Sequence, residues 1–135
     1  MAEQEATIVQ VLTDYVNDFN RFDSKAIVPY FHQPCMMITR QGLFMLASSM
    51  EIEGLLESMQ ENMKARGYAR SAWAHQHVKL LNDSTAVASN VGVRYKMDGT
   101  ELERIGATYT LRKTDDGWKI AVLIGHAPDT ILPLD

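Results

Sequence analysis

Apolar positions lie three or four residues apart in much of the first half of the chain and alternate with polar ones in much of the second half. From about Glu5 to Phe22 the apolar residues follow the helical period, which predicts a helix with one face against a core. That face consists of Ile8, Val11, Leu12, Tyr15, Val16, Phe19 and Phe22. A short second helix is predicted after a cap at Asp23 or Ser24, although Pro29 removes a backbone donor and should shorten or distort it.

A small hairpin and a third helix are predicted next. Residues 35–39 and 43–47 have the composition of two short strands around a turn at 40–42. Ser48 and Glu51 have the spacing of a capping box, and the apolar residues after them continue at helical spacing. Gly67 is placed to end this helix, because glycine tolerates the left-handed conformation that is common just past a helix C terminus.

Four strand-like segments fill most of the remaining chain. They span residues 71–81, 85–97, 102–113 and 118–126, with short polar turns between them. Such turns join consecutive antiparallel strands. Three helices, a small hairpin and a four-stranded meander together predict an α+β fold, in which the helices cover one face of a curved antiparallel sheet.

Length and composition limit the classes of function. The chain has 135 residues, of which 46% are hydrophobic, so we expect a single domain over residues 1–135. Its net charge of −4 is not gathered into runs, which argues against nucleic acid and anionic membranes as partners. Glu3 and Glu5 do not suit a signal peptide, and no segment has the roughly 18 apolar residues of a membrane span. With Cys35 as its one cysteine the chain forms no internal disulfide, and we expect a cytoplasmic protein.

The order of the predicted elements, their lengths and the closing run Thr114-Asp115-Asp116-Gly117-Trp118-Lys119-Ile120 resemble the nuclear transport factor 2-like superfamily. That group includes ketosteroid isomerase, scytalone dehydratase, limonene epoxide hydrolase and SnoaL-type cyclases. The resemblance covers nearly the whole chain. It implies a cone-shaped, cystatin-like α+β barrel with a pocket between sheet and helices, and usually a homodimer through the outer face of the sheet.

The catalytic residues of these relatives have no counterparts at the matching positions. The carboxylate base of ketosteroid isomerase-like members would match Met37 or Ile38, and the histidines of SnoaL-like members would match Val122 and Ile124. All four residues are apolar. The resemblance therefore gives no support for the relatives' mechanism in this chain, which is abstraction of a proton next to a carbonyl.

Six aromatic or polar residues are candidates for the lining of a pocket, namely Tyr15, Tyr30, Tyr95, Tyr109, Trp118 and His126. Phenol hydroxyls suit an apolar ligand that has one carbonyl or hydroxyl group. Alternation would place His126 at the end of a face formed by Trp118, Ile120, Val122 and Ile124, where its imidazole could act as a general acid or base. Each of the six could instead be an ordinary core or surface residue. Arg94 and Arg104 are expected on the outer face in solvated ion pairs.

Alternation also places Trp73, His75 and His77 on one face of a strand. The two imidazoles and His126 could ligate Zn or Fe, but no carboxylate or cysteine occupies a matching position, so we predict neither a metal nor a cofactor. If the face is the outer one, these residues would lie in the dimer contact, which we favour over metal binding. Cys35 lies in an apolar segment and is expected to be buried rather than nucleophilic.

Three functions remain open from the sequence. The first is a homodimer whose cone binds a small apolar molecule. The second is an isomerase, dehydratase or cyclase-type enzyme with a non-standard site that uses Tyr15, Tyr109 or His126. The third is a pure dimerisation module, which a packed, dry interior would favour. The apolar residues at the relatives' catalytic positions rank the binding domain first.

Overall fold

The computed structural model describes residues 2–133 and has the predicted order of helices and strands. Within these residues, α1 is Ala2–Phe19, α2 is Ser24–Ile27 and α3 is Ser49–Ala65, with 3₁₀ turns at Val28–Tyr30 and Pro128–Thr130. The strands are β1 Phe31–Thr39, β2 Gly42–Leu46, β3 Tyr68–Leu80, β4 Thr85–Lys96, β5 Glu101–Thr114 and β6 Gly117–His126. No helix of the described chain is both long and apolar enough to cross a bilayer.

The helix ends follow the predicted capping signals. The backbone N–H of Glu51 donates to Ser48 Oγ at 3.3 Å, and Glu51 Oε2 accepts from the backbone N–H of Ala47 at 2.8 Å. This is a capping box at α3 whose return bond reaches the residue before the N-cap. Gly67 follows that helix with φ of +93°, in the left-handed region that glycine adopts most readily. Pro29 ends α2 after four residues, and the chain continues as a 3₁₀ turn.

The six strands form one mixed sheet in the order β2-β1-β6-β5-β4-β3. Neighbouring strands are antiparallel except β1 and β6, which are parallel. The expectation of a wholly antiparallel sheet is therefore wrong for this pair. A parallel pair needs a long crossover connection, and the chain from β2 to β5 provides it. The sheet curves without closing, because β2 and β3 remain its two edges among the described strands.

One face of this sheet is covered by the helices. The register places Ala88, Tyr109, Leu123 and Met37 in one row across β4, β5, β6 and β1, and all four are buried. Tyr109 meets Tyr15 of α1, so this row belongs to the helix-covered face. We call this the inner face, and the opposite one the outer face.

A β-bulge in β3 changes the predicted orientation of two histidines. The register shifts between Trp73 and His75, so Ala74 is an extra residue in the strand. Trp73 lies on the inner face, where its indole N–H donates to the carbonyl of Leu12 at 3.0 Å, whereas His75 and His77 lie on the outer face. The prediction that these three side chains share a face is therefore wrong.

A second bulge has the same effect in β6. The partner of Leu111 is Ile120 and that of Thr110 is Val122, which leaves Ala121 as the extra residue. Trp118 and Ile120 point to the inner face, and beyond the bulge Leu123 and Gly125 do so, while Val122, Ile124 and His126 turn outward. The predicted single face from Trp118 to His126 is therefore wrong, because one inserted residue inverts all later positions.

Candidate functional site

A cavity of about 930 Å³ lies between the inner face of the sheet and helices α1 and α3. Its wall is mainly apolar and includes Val16, Phe19, Met59, Met63, Trp73, Ile105 and Leu123. Small residues of the sheet make room for it, since Gly92 and Ala107 occupy inner positions of β4 and β5. The interior therefore contains an open space beside its packed hydrophobic core.

Two phenols point into this cavity. Tyr15, on the buried face of α1, and Tyr109, on the inner face of β5, have ring centroids 6.4 Å apart and nearly perpendicular planes. Neither hydroxyl has a hydrogen-bond partner among residues 2–133. In that range, Asn90 Oδ1 is the one fully buried side-chain polar atom without a hydrogen-bond partner. The two unpartnered phenol hydroxyls are therefore not fully enclosed by protein and face open space. Burial raises the pKa of Tyr15 and of Tyr109 well above the usual range, which keeps both phenols neutral.

An ion-pair cluster lies on the same cavity wall. Glu103 of β5 accepts from Arg94 of β4 at 2.6 Å and from Arg66, just after α3, at 2.7 Å. Partial burial acts to raise the pKa of Glu103, but the hydrogen bonds from the two guanidinium groups outweigh it and hold this pKa below its ordinary value. The cluster therefore stays ionised and ties α3 to the sheet.

Further polar side chains surround the cavity opening. Arg40 and Gln41 come from the turn between β1 and β2, and Arg104 comes from β5, where its Nε lies 3.1 Å from Oε2 of Glu101. Arg94 was expected on the outer face and lies in the cavity wall instead, whereas Arg104 is exposed as expected. Alternation holds in β4, where Arg94 shares the inner face with Ala88 and Gly92; the expectation failed because Tyr95, on the opposite face, was taken to point inward.

His126 lies at the cavity rim with its ring packed over Gly106 on the outer face. Its Nδ1 lies 2.8 Å from the carbonyl of Ala127, an acceptor, so Nδ1 holds the proton. Its Nε2 lies at hydrogen-bond distance, 2.7 Å, from the hydroxyl oxygen of Thr108. Both ring nitrogens are thus engaged in holding the segment that follows β6.

The other predicted pocket residues lie elsewhere. Tyr30, whose hydroxyl donates to Asp18 at 2.6 Å, and Trp118 line a second cavity of about 400 Å³. Tyr95 lies against the guanidinium of Arg70 at 4.2 Å and lines neither cavity. The structure thus brings Tyr15 and Tyr109 together at the large cavity and places His126 at its rim. Tyr30 packs against Tyr15, with ring centroids 5.7 Å apart, but neither it nor Trp118 or Tyr95 lines that cavity.

The candidate metal and nucleophilic residues form no cluster with one another. His75 and His77 are stacked on the outer face with ring centroids 6.4 Å apart. Within residues 2–133 no group of three or more His, Cys, Asp or Glu residues is arranged to hold a metal ion. Cys35 is buried, and burial raises the pKa of its thiol to about 11, so the reactive thiolate is scarce at neutral pH.

Comparison with known proteins identifies relatives by sequence model and by structure. The model of the family described as NTF2-like protein (DUF6841) matches residues 3–128. A search of curated proteins gives no significant match. An NTF2-like protein with a cystatin-like fold from Novosphingobium aromaticivorans is 17% identical with a TM-score of 0.77, and the match covers 96% of this chain and 84% of that one.

Two further solved structures are similar over most of their length. A ketosteroid isomerase-like protein from Erwinia carotovora atroseptica has a TM-score of 0.73 at 16% identity, covering 93% of this chain and 97% of that one. A putative calcium/calmodulin dependent protein kinase II association domain from Xanthomonas campestris has a TM-score of 0.68 at 16% identity, covering 94% and 86%. At these identities the structural likenesses establish the fold alone.

Proposed function

This chain belongs to the NTF2-like protein family (DUF6841), and we propose that its cavity binds a small, largely apolar molecule with one oxygen-bearing polar group. The observation that carries this proposal is the cavity of about 930 Å³ with two unpartnered phenol hydroxyls in a mainly apolar wall. Binding sites for small molecules typically combine a preformed apolar cavity with a few well-placed polar groups.

The phenols would fix the orientation of such a molecule. Since burial keeps Tyr15 and Tyr109 neutral, each hydroxyl can donate a hydrogen bond to a carbonyl or hydroxyl oxygen. A ligand without that oxygen would leave both donors unpaired inside a desolvated site, which is costly. The Met59 and Met63 side chains add an adaptable wall, because an unbranched thioether can follow ligands of different shape.

The same geometry favours binding over isomerase, dehydratase or cyclase chemistry. Within the described lining the acidic side chain is Glu103, and two arginines hold its pKa below the ordinary value, which makes it a weak base. His126 uses both ring nitrogens outside the apolar part of the cavity. A general base near the phenols, which proton abstraction needs, is therefore missing among the described lining residues.

We also propose that the protein is a homodimer through the outer face of the sheet. Leu43 and Met45 of β2 are 55% and 62% exposed, and the register places them beside Ile38 and Met36 on that face. Contiguous exposed apolar surface on a sheet is typical of an interaction site. One structural relative is described as an association domain, which fits this form of assembly.

Ligand binding is tested with the neutral fluorescent probe N-phenyl-1-naphthylamine. We expect saturable enhancement of its emission, with one probe bound per chain. Ala107→Trp should abolish this binding, because Ala107 lines the cavity on the inner face and an indole would occupy the free space. Ala107→Leu, which adds less volume, should weaken it partially.

The matched control is Ala6→Trp, which adds the same indole to an exposed position of α1. Circular dichroism and thermal unfolding establish that each variant is folded. Loss of binding in Ala107→Trp with full binding in Ala6→Trp supports the proposal. Equal binding by both folded variants would place the probe outside the cavity and refute it.

A further inference from the structure

The charged side chains that line the large cavity carry a net positive charge, opposite in sign to that of the whole chain. The chain carries a net charge of −4, yet its described cavity lining includes four arginines and one acidic residue. These residues are Arg40, Arg66, Arg94, Arg104 and Glu103. The cavity is therefore an electropositive region on an acidic protein.

Ion pairing does not neutralise the net positive charge of the cavity lining. Arg66 and Arg94 share the single carboxylate of Glu103, so that cluster retains one positive charge. Arg104 is balanced by Glu101. The Arg40 side chain has no ion pair among residues 2–133. Two positive charges thus remain at the cavity, one on the wall and one at the turn above it.

Of the two arginines that share Glu103, Arg94 is the one whose charge solvent screens poorly. The Arg94 side chain is 18% exposed, and interactions between charges strengthen as the local dielectric constant falls. The charge of Arg94 also acts on Tyr15 and Tyr109, opposing the effect of burial on the pKa of each phenol. The guanidinium group of Arg94 and the hydroxyls of Tyr15 and Tyr109 therefore line the same cavity, and all three can donate hydrogen bonds.

We propose that the cavity selects an amphipathic carboxylate, with its anionic head bound by Arg94 and the phenols and Arg40 attracting it at the opening. The inference rests on the proposed function, since it names the chemical class of the molecule that the cavity binds. An uncharged alcohol could use the phenols but not the excess positive charge. A carboxylate uses both, and hydrogen bonds between ionised partners are stronger than neutral ones.

The test compares 6-phenylhexanoate with 6-phenylhexan-1-ol, which differ in the head group and share the apolar body. Binding is measured by calorimetry at low salt and at 0.5 M NaCl. We expect the acid to bind about tenfold more tightly than the alcohol at low salt. Salt should narrow this gap, because it screens charge interactions at the opening.

Variants assign the preference to its residues. Arg94→Gln should remove most of the gap, and Arg40→Gln should reduce acid binding about threefold by weakening attraction at the opening. Arg21→Gln is the control, because Arg21 is 75% exposed and does not line the cavity. Alcohol binding provides a second readout, since a variant that merely distorts the cavity would weaken both compounds.

The outcomes separate the two proposals. If the alcohol binds as tightly as the acid, carboxylate selection is wrong and the proposed binding function stands. If neither compound binds and the neutral naphthylamine probe also fails, the proposed function itself is refuted. A tenfold gap that Arg94→Gln leaves unchanged would place the head group away from Arg94 and overturn the assignment.

Discussion

The rings of Tyr15 and Tyr109 pack in the core, but their hydroxyls add no hydrogen bond to the fold within the described residues. An intramolecular hydrogen bond contributes about 1 kcal/mol to folding, and neither hydroxyl makes one within the described chain. Tyr30 is the useful contrast, because its hydroxyl donates to the carboxylate of Asp18 at 2.6 Å. The Tyr30 hydroxyl therefore makes a hydrogen bond within the fold, whereas those of Tyr15 and Tyr109 do not.

This difference predicts that removing the hydroxyl destabilises the protein at Tyr30 but has little effect at Tyr109. Tyr109→Phe should alter the free energy of unfolding by less than about 0.5 kcal/mol, whereas Tyr30→Phe should lower it by about 1 kcal/mol or more. Urea unfolding followed by circular dichroism measures both. A loss above about 1 kcal/mol in Tyr109→Phe would mean that its hydroxyl is bonded in the folded protein.

The ring of His126 packs closely over Gly106 and links β5 to the end of β6. A Cβ atom on Gly106 would collide with Cε1 and Nδ1 of that ring and would lie 2.5 Å from the carbonyl oxygen of Ala127. Gly106→Ala should therefore lower the free energy of unfolding by about 1–3 kcal/mol, because the ring and the following backbone must both shift.

Gly54→Ala is the matched control for this prediction. Gly54 lies inside α3, where an added Cβ meets nothing within 4 Å. Alanine should raise the free energy of unfolding there by about 0.5–1 kcal/mol, since glycine is the poorer helix former. Thermal unfolding of the two variants should shift in opposite directions. A stabilised Gly106→Ala protein would show that the His126 ring is not seated over this strand.

The Glu103 cluster joins α3, β4 and β5 and makes stability depend on pH. The pKa of Glu103 is lowered in the folded protein from its ordinary value of 4.5, so its contribution is present above pH 4.5 and is lost as pH falls through the folded pKa. Below about pH 4.5, wild type should therefore lose stability more steeply than Glu103→Gln, which cannot titrate at this position.

Urea unfolding between pH 3 and pH 6 measures this slope. Glu61→Gln is the control for loss of one carboxylate, because Glu61 is an exposed residue of α3 with no ion pair among residues 2–133. Its pH dependence should match that of wild type. Equal slopes for wild type and Glu103→Gln would mean that the cluster does not form in solution.

Periodicity and capping signals were sufficient to predict the order of elements, but not which residues face the cavity. The capping box at Ser48 and the end of α3 at Gly67 are local, so the sequence contains their causes. The bulges at Ala74 and Ala121 depend on pairing between strands, and each inverts the faces that follow it. Arg94 was missed for a different reason: the weak contrast between alternating residues of β4 does not show which face is inner, and Arg94 shares the face of Ala88 and Gly92.

At the scale of the whole molecule, the two faces of the sheet have different coverings. The helices and the cavity occupy the inner face, while the segment after β6 covers part of the outer face, where the N–H of Leu132 donates to Ser89 Oγ at 2.8 Å. Ser89 and Val91 are buried on that face. The half of the outer face near β2 keeps its apolar side chains exposed.

The exposed apolar half of the outer face predicts a dimer. Charged residues introduced on that face should disrupt it. The chain has a mass of 15.2 kDa, and sedimentation equilibrium should give twice this mass for wild type. The double change Leu43→Lys and Met45→Lys should give the monomer mass, because two like-charged residues per chain would meet their copies in an interface that needs roughly 800 Å² from each partner.

Met97→Lys is the control, because Met97 is 91% exposed at the turn between β4 and β5, away from β2. It should remain a dimer with wild-type affinity. A monomeric wild type would refute the proposed assembly. A dimer that survives both lysines would instead move the interface to the edge opposite β2, where His75 and His77 lie on the outer face of β3.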